Sequence, residues 1–470
     1  MTKLYCGVDF GTTNSSAAVS DGTTVRVLPL DPLNDNATSL PSLLYITSQG
    51  ESIVGRAAAN AFIDRNVDRE VLLKQVDLGV SIEAYVASEP DKSESYRPGN
   101  TDPDIREAVR ARAIVEVNSP GRLFQSLKTL LRHKAFLGTE VFGTHYQIEE
   151  LVARILERIK IAVDKAAGCS VERAVFGRPV RFSERPEENE VAENRLRTAA
   201  SLAGFKEVVF FYEPVGACVE YAMEEMEKRR LMVVDIGGGT CDVCIMEFGG
   251  GHDAGRRLAE SRILSVAGVP VAGDAIDREI IRGKLFPVFG SRARYGPAQL
   301  RMPQYIYTQI LDWQNLYKLN NEETINWLVA AEGTSTQPDA FRALRCLIQR
   351  NYGYPVAREV EAAKKRLSIE MGTFIDIQKE EIQVREHLER VEFAHIIEHS
   401  LDLMHDSIKE AENLAGLTGN DIDLVLTTGG TSLVPAVRQM LGERFGEGKL
   451  KQRDTFTSVA TGLAIVAQFT

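Results

Sequence analysis

Two short apolar segments, residues 4–8 and 231–234, each end in an aspartate that is followed by a turn of small residues. The first turn reads Asp9-Phe10-Gly11-Thr12-Thr13-Asn14, and the second reads Asp235-Ile236-Gly237-Gly238-Gly239-Thr240. Each apolar run predicts a buried strand, and the residues beyond each turn predict a second strand, so each unit is a hairpin. Backbone N–H groups at its tip can bind phosphate, and an aspartate at the strand end suits a hydrated Mg²⁺. Two such units predict a duplicated nucleotide cleft, with one phosphate turn from each half.

Composition and charge narrow the class of protein. A chain of 470 residues exceeds what one hydrophobic core supports, so two or more domains are expected. The net charge of −11 argues against a nucleic-acid-binding surface. The N-terminus has no signal pattern, and no apolar stretch approaches the roughly twenty residues of a membrane span. We therefore expect a cytosolic, that is cytoplasmic, protein with no nucleic acid or membrane partner.

The order of the remaining patterns predicts an α/β fold built twice, with lobe I at residues 1–210 and lobe II at 211–470. Helical periodicity is found at 149–167, 360–367 and 387–414. Residues 76–120 are polar and rich in turn formers, which predicts a surface insertion that is partly ordered at best. Residues 287–355 predict an inserted helical subdomain, whose aromatic residues we interpret as core rather than ligand pocket.

Two further glycine turns lie in the second half. Gly429-Gly430-Thr431 follows an apolar segment and precedes a helix that opens near Pro435, and helix N-termini favour anionic or polar ligand groups. Gly273 closes a turn that leads into a helical stretch at 275–282. Both turns are candidates for the ligand cleft.

Five ordered motifs, at 7–15, 213–217, 234–242, 361–368 and 429–432, carry a resemblance to a known family. Together they resemble the nucleotide-binding domain of the 70-kDa heat-shock chaperones, which belong to the actin-like ATPase and sugar-kinase superfamily. The resemblance extends from residue 4 to about residue 467. It implies an actin-like ATPase fold, with two duplicated α/β lobes around a nucleotide cleft. Asn14-Ser15 after the two threonines favours the chaperones over the sugar kinases.

The resemblance also implies roles for individual residues. Asp9 and Asp235 would hold Mg²⁺ through water, and Glu213, Thr240 and Asp242 would serve the catalytic step. ATP or ADP would be held by Gly11, Thr12, Thr13, Asn14, Gly237, Gly238, Gly239, Thr240, Gly273, Glu361, Lys364, Lys365, Ser368, Gly429, Gly430 and Thr431. Pro179 and Arg197 fall where the family has residues that relay nucleotide state.

Three departures from the family pattern matter. Ala59 stands where the pattern is expected to place a catalytic lysine, which predicts slow or absent hydrolysis unless another cation, such as Lys74 or Lys128, takes over. Leu433 replaces an arginine that packs on adenine. The sequence ends without the family's interdomain linker and peptide-binding domain, so it is similar to shortened bacterial chaperone-like proteins of the YegD type.

These observations leave three functions open. The first is an ATP-binding, chaperone-like nucleotide switch whose insertions bind protein clients or co-chaperone-like partners. The second is a small-molecule (sugar-type) kinase of the same fold, although we find no clear motif for its catalytic base. The third is a non-catalytic ATP-binding scaffold, which Ala59 favours. The oligomeric state is not defined by the sequence.

Overall fold

The fold is given by a computed structural model that describes residues 4–86, 105–223, 227–250, 256, 260–454 and 457–470. Its first sheet is built on the hairpin predicted from the first aspartate turn. The strands of this sheet are β1 (Tyr5–Phe10), β2 (Asn14–Ser20), β3 (Val25–Val27), β4 (Leu40–Pro41), β12 (Arg173–Arg178) and β13 (Glu207–Tyr212). The main path runs β13-β12-β1-β2-β3, with β4 paired to β2. β2 is antiparallel to β1, whereas β12 is parallel to it.

The second sheet repeats this arrangement. Its strands are β14 (Arg230–Ile236), β15 (Cys241–Glu247), β16 (Arg262–Val269), β21 (Leu424–Thr428) and β22 (Leu450–Gln452). The order β22-β21-β14-β15-β16 matches that of the first sheet strand for strand. β15 is antiparallel to β14, and β21 is parallel to it. The duplicated α/β fold expected from the two aspartate turns is therefore confirmed.

The described residues also form one three-stranded sheet and four two-stranded hairpins. They are β5 (Leu44–Thr47), β6 (Ser52–Val54) and β9 (Gly121–Phe124) in one sheet, and the hairpins β7 (Leu73–Val86) with β8 (Ile105–Glu116), β10 (Gly138–Val141) with β11 (Thr144–Gln147), β17 (Arg294–Tyr295) with β18 (Leu300–Arg301), and β19 (Gly372–Lys379) with β20 (Ile382–Glu389).

The helices pack around these sheets. We label them α1 (Arg56–Asn66), α2 (Leu127–Leu130), α3 (Ile148–Ala167), α4 (Pro186–Leu202), α5 (Glu213–Ala222), α6 (Gly273–Ile280), α7 (Phe286–Val288), α8 (Gln304–Leu311), α9 (Glu322–Glu332), α10 (Pro338–Gln349), α11 (Gly353–Leu367), α12 (Arg390–Ile396), α13 (Glu398–Ala415), α14 (Pro435–Phe445) and α15 (Ser458–Val466). A 3-10 segment, Trp313–Leu319, follows α8. Among the described residues, we find no helix with the length and apolar character that crossing a bilayer requires.

Each sheet has its own buried core, and a third core joins the two sheets. This third core contains Val175 and Val233 from the two sheets and Val215 and Leu463 from α5 and α15. The two helices approach so closely that a Cβ on Gly462 would overlap the backbone of α5. Although α15 comes last in the sequence, it also packs on β1 and β2. The pair α5 and α15 is therefore the mechanical connection between the sheets.

The two predicted insertions have regular structure where they are described. Residues 87–104 of the first lie outside the described residues, but the flanking residues pair as the strands β7 and β8. The prediction of a surface insertion that is partly ordered at best did not include these strands, although apolar and charged residues alternate with period two at 109–114. The second, 287–355, contains mainly helices, α8 to α10.

One helix prediction was wrong at its start. Residues 387–389 belong to strand β20, and the predicted helix at 387–414 is observed as two helices, α12 and α13. The side chains of Ile382, Val384 and Leu388 alternate inward from β20, which is a strand pattern that the following helical residues obscured. The helix predicted at 149–167 is present as α3, which Gly168 ends in a left-handed conformation.

Candidate functional site

A cavity of about 740 Å³ lies between the two sheets. It is lined by all the residues predicted for nucleotide and metal binding: Asp9, Gly11, Thr12, Thr13, Asn14, Asp235, Gly237, Gly238, Gly239, Thr240, Gly273, Glu361, Lys364, Lys365, Ser368, Gly429, Gly430 and Thr431. Glu213 and Thr240, predicted to be catalytic, also lie on its wall. Asp242 lies behind the wall, where its Oδ1 accepts a hydrogen bond from the backbone N–H of Val180 at 2.6 Å. A cavity of this size holds a nucleotide-sized ligand.

The two glycine turns face each other at the closed end of the cavity. A Cβ on Gly238 would collide with the side chain of Thr13, and a Cβ on Gly239 would collide with that of Thr12. Any residue other than glycine at either position would push the turns apart. The second turn is closed on itself, since the N–H of Gly237 donates to the carbonyl of Thr240 at 3.0 Å.

The two other glycine turns meet the second phosphate turn at Gly237. The hydroxyl of Thr431 donates to the Gly237 carbonyl at 2.7 Å, and the N–H of Gly273 donates to the same oxygen at 3.2 Å. Gly429 has φ +77°, and a Cβ there would overlap the backbone of Ile236. Four turns that are far apart in the sequence therefore converge on one end of the cavity.

Carboxylates crowd the floor beneath these turns. Burial raises the pKa of Asp9 to about 7, and Glu213 adds to the rise while Lys128 opposes it. Burial likewise raises the pKa of Asp235 well above its ordinary value, with further contributions from Glu213 and Asp9. Asp242, also raised by burial and by Glu213, has a pKa of about 7. Each carboxylate makes its neighbours harder to ionise, so positive charge at this place is strongly favoured.

Lys128 supplies one such charge. Its Nζ lies 2.6 Å from Oε1 of Glu213, and both side chains are almost fully buried. Burial lowers the pKa of Lys128, but Glu213 and Asp9 more than offset it, so the pKa lies above its ordinary value. Lys128 is carried by the short helix α2, which follows β9.

The slow or absent hydrolysis expected from Ala59 stays a prediction, and of the two lysines named as replacements, Lys128 lines the cavity and Lys74 does not. Ala59 belongs to α1, is 2% exposed and packs within an apolar cluster that includes Tyr45, Phe62 and Leu123. It does not line the cavity, whereas Lys128 does. The cation that meets the carboxylates comes from the segment after β9, and it is one of the two lysines named as possible replacements.

Another part of the cavity wall is formed by one face of α11. Glu361, Lys364, Lys365 and Ser368 all line it, at the three- and four-residue spacing of one helix face. Lys364 is not a mobile cation, because its Nζ donates to Asp277 Oδ2 at 2.9 Å and to the Gly273 carbonyl at 3.2 Å. Burial opposes ionisation of Glu361, but Lys365 at 2.7 Å lowers its pKa below the ordinary value. Leu433 forms part of the facing wall.

The outer wall contains residues that sequence reasoning missed. Leu311, Asp312, Trp313 and Gln314, from the inserted 287–355 segment, line the cavity. The indole of Trp313 packs 4.8 Å from the ring of Tyr354 and 5.6 Å from that of Phe62. The sequence showed an aromatic cluster, which we interpreted as core. Of these aromatic residues, Tyr307 is buried, Tyr305 is exposed and the others are partly buried, and Trp313 lines the cavity while it contacts Phe62 of α1 and Tyr354 of α11.

Two hydrogen bonds reinforce this aromatic closure. The side-chain amide of Asn351 donates to the Asn66 carbonyl at 3.1 Å, and the N–H of Asp68 donates to the Arg350 carbonyl at 3.0 Å. Asp68 and Asn351 both have positive φ, at 59° and 56°. Non-glycine residues rarely adopt this conformation, so the backbone on both sides of these two hydrogen bonds is held in an unusual conformation.

Pro179 and Arg197 were expected to relay nucleotide state. Among the described residues, no hydrogen bond joins the two directly. Arg197 pairs with Glu193, which pairs with Arg178 at 2.5 Å, and Arg178 donates to the Pro179 carbonyl at 3.1 Å. The next residue along the chain, Val180, bonds to Asp242. A continuous set of contacts therefore runs from α4 to the floor of the cavity.

The residues present fit a nucleotide with Mg²⁺. Buried carboxylate oxygens are ligands that Mg²⁺ prefers, and their raised pKa values show that a further cation would relieve their repulsion. Both glycine turns line the cavity, and the backbone N–H groups of such turns can bind phosphate oxygens. In the part of the chain that the structure describes, no three His, Cys, Asp or Glu side chains are placed to hold a metal directly. The donor set suits an ion that keeps its waters.

Comparison with known proteins agrees with this geometry. The family model described as Hsp70 protein matches residues 117–254 and 349–470, more than half of the chain. The matched ranges include Lys128, Glu213, Asp235 and Thr431, but not Ala59. The chaperone protein DnaK of Akkermansia muciniphila is 24% identical over 479 aligned positions, which cover 99% of this chain. The chain spans 58% of the length of that relative.

Proposed function

Since this chain belongs to the Hsp70 family, we propose that it binds Mg·ATP and Mg·ADP between its two sheets and hydrolyses ATP. The observation that carries the proposal is the meeting of the two glycine turns above a floor of buried carboxylates and one buried lysine. A ligand that is polyanionic at one end and accompanied by a divalent cation complements both features. The fold and the chaperone family set the context, and the ligand is our inference from the site.

In the proposed complex, backbone N–H groups of Gly237 to Thr240 and the hydroxyls of Thr12 and Thr13 donate to phosphate oxygens. Asp9 and Asp235 hold water molecules of the hydrated ion, and Mg²⁺ supplies neutralisation of phosphate charge. Glu213 orients the attacking water from the floor, and the catalytic role expected for Asp242 stays a prediction, because Asp242 lies behind the cavity wall. Positioning and electrostatics provide most of the rate enhancement in phosphoryl transfer, so these residues act chiefly through their fixed geometry.

Lys128 provides the positive charge that Ala59 cannot supply. Its ammonium is buried beside Glu213 and Asp9, where a positive charge acts strongly because water is largely excluded. There it stabilises negative charge that develops on the transferred phosphoryl group. We therefore propose measurable hydrolysis, in place of the slow or absent hydrolysis that Ala59 had suggested. The non-catalytic scaffold loses the observation that favoured it.

We further propose that nucleotide state changes the relative position of the two sheets. Both sheets pack on α5 and α15, and α5 begins at Glu213 on the cavity wall. A change at the phosphates can thus reach the helix pair directly. Protein clients or co-chaperone-like partners, bound through the two insertions, would respond to this change. The cytosolic location expected from the sequence also stays a prediction.

The proposal is tested with the purified chain. Calorimetric titration with ATP and ADP, with and without Mg²⁺, measures binding, and phosphate release under steady-state conditions measures hydrolysis. We expect Mg²⁺-dependent binding of both nucleotides and measurable release of inorganic phosphate in the absence of any acceptor. Phosphate that appeared only when a sugar or another small acceptor was added would instead favour the kinase. No binding of either nucleotide would contradict the proposal.

A further inference from the structure

One hydrogen bond crosses the cavity near the phosphate turns. The hydroxyl of Ser126, which precedes α2, donates to Oδ2 of Asp274 on α6 at 3.0 Å. Ser126 lies on the side of the first sheet and Asp274 on the side of the second, and both line the cavity. The family motifs used above do not include either residue.

The backbone at Ser126 is strained. It has φ 56° and ψ 33°, the left-handed conformation, although it is not glycine. Such conformations are unfavourable for a residue with a side chain and persist where surrounding contacts hold them. Ser126 comes two residues before Lys128, and its carbonyl accepts hydrogen bonds from the N–H and the hydroxyl of Thr129. The conformation of Ser126 therefore fixes the first turn of the helix that presents Lys128.

Asp274 is tied to the second phosphate turn at the same time. Its backbone N–H donates to the Gly238 carbonyl at 2.8 Å, and a Cβ on Gly238 would lie 3.3 Å from its Oδ1. The charged groups that act on the Asp274 carboxylate from α6 and α11 are Lys364, Arg278 and Glu361. Asp274 thus contacts the turn proposed to hold phosphate and the residue that shapes the lysine helix.

We propose that the Ser126–Asp274 hydrogen bond positions Lys128 for hydrolysis, by coupling the second phosphate turn to α2 across the cleft. Asp274 is a positioning residue, since it acts on Lys128 through Ser126. This inference rests on the proposed function and adds a condition to it: full hydrolysis requires the two sides of the cleft to be joined at this point. Binding of Mg·ADP does not require it, because the phosphate turns and the carboxylates remain in place without it.

The test compares the full-length chain with Ser126→Ala, Asp274→Ala, the double variant and Asp274→Asn. We measure the single-turnover hydrolysis rate, the Mg·ADP affinity by calorimetry, and amide hydrogen exchange at residues 124–131 in nucleotide-free protein. Loss of a hydrogen bond of ordinary strength corresponds to about a two- to twelvefold effect. We expect Ser126→Ala and Asp274→Ala each to slow hydrolysis by that factor and to speed exchange in α2. The double variant should be no slower than either single variant.

Two controls separate positioning from general damage. Asp274→Asn keeps an acceptor oxygen for Ser126 and should restore the rate, whereas Ser400→Ala removes a comparable serine–carboxylate bond, to Glu279 at 2.9 Å, away from the cavity and should change nothing. Wild-type protein that hydrolyses ATP while the variants match it would overturn the inference alone. Equal losses of rate and of Mg·ADP affinity, or additive effects in the double variant, would also overturn it. Wild-type protein without nucleotide binding would overturn the proposed function itself.

Discussion

The Nζ of Lys128 and Oε1 of Glu213 lie 2.6 Å apart at the floor of the cleft, and each side chain is less than 10% exposed. Asp9, Asp235 and Asp242 surround this pair closely enough to alter one another's ionisation. Buried ion pairs contribute little net stability when they are complete, because desolvation offsets the attraction. One lysine does not neutralise four carboxylates. This arrangement is therefore better explained by the binding of a cation with its ligand than by the stability of the fold.

Replacing Lys128 should separate hydrolysis from binding. In Lys128→Ala, loss of one electrostatic contact to the transition state should lower the hydrolysis rate by about a hundred- to a thousandfold. Binding of Mg·ADP should persist, because the backbone donors and the carboxylates remain. The measurement is single-turnover hydrolysis together with calorimetry. Lys160→Ala is the matched control, since Lys160 is also buried and paired, with Asp164 at 2.5 Å, but lies on α3 away from the cavity. An unchanged rate in Lys128→Ala would refute its role.

Restoring a lysine at position 59 should not help. Ala59 is packed against an apolar cluster, so Ala59→Lys inserts a long charged side chain where it has no room. We expect a loss of at least about 1–3 kcal/mol in the free energy of unfolding, from overpacking alone, and no gain in hydrolysis. Denaturant titration and the hydrolysis assay measure the two effects. A faster enzyme with unchanged stability would show that position 59 belongs to the site after all.

The ligand-free protein should show the burial of Asp242 in its pH dependence. The pKa of this carboxyl is about 7 in the fold, against about 3.9 for an unperturbed aspartate. A group whose pKa is raised on folding contributes stability that is complete below about pH 4 and is lost as the pH rises through about 7. Asp242→Asn keeps the oxygen that accepts from Val180 and does not titrate. The difference in melting temperature, variant minus wild type, should therefore increase between about pH 4 and about pH 7, the interval between the pKa of the unfolded state and that of the fold. A constant difference would contradict the assignment.

The aromatic closure of the outer wall should slow nucleotide release. The substitution Trp313→Ala removes the ring contacts that Trp313 makes with Phe62 of α1 and with Tyr354 of α11. Each such pair is worth about 0.5–1.5 kcal/mol, so release should accelerate by roughly twofold or more for each pair lost. Stopped-flow displacement of a fluorescent ADP analogue measures the rate. Trp327→Ala is the control, because Trp327 packs on Tyr295 within the inserted segment. Equal release rates for wild type and both variants would rule out a gating role.

The parts of the site that local chemistry dictates could be predicted from the sequence. Asp9 and Asp235 each end an apolar run before a glycine turn, and a strand followed by such a turn can form little other than a hairpin with free donors at its tip. The spacing of Glu361, Lys365 and Ser368 likewise defines one helix face without reference to other elements. These residues line the cavity as expected.

The parts that depend on tertiary packing could not be predicted in the same way. Lys128 becomes special only when α2 brings it to Glu213, 85 residues later in the chain. Trp313 and Phe62 are ordinary aromatic residues until the fold brings their ring centroids within 5.6 Å of each other. Long-range contacts of this kind leave no local pattern.

The most direct test of the nucleotide site is calorimetric titration of wild type and Asp235→Ala with ADP, in Mg²⁺ and in excess chelator. Loss of a charged hydrogen bond to the hydrated ion corresponds to about 1.5–3 kcal/mol, or roughly ten- to a hundredfold weaker binding. We predict that loss in the presence of Mg²⁺ and little difference in chelator. Asp21→Ala, in an exposed turn after β2, should bind as the wild type does. Equal affinities of wild type and Asp235→Ala for Mg·ADP would contradict a magnesium–nucleotide site between the two aspartate turns.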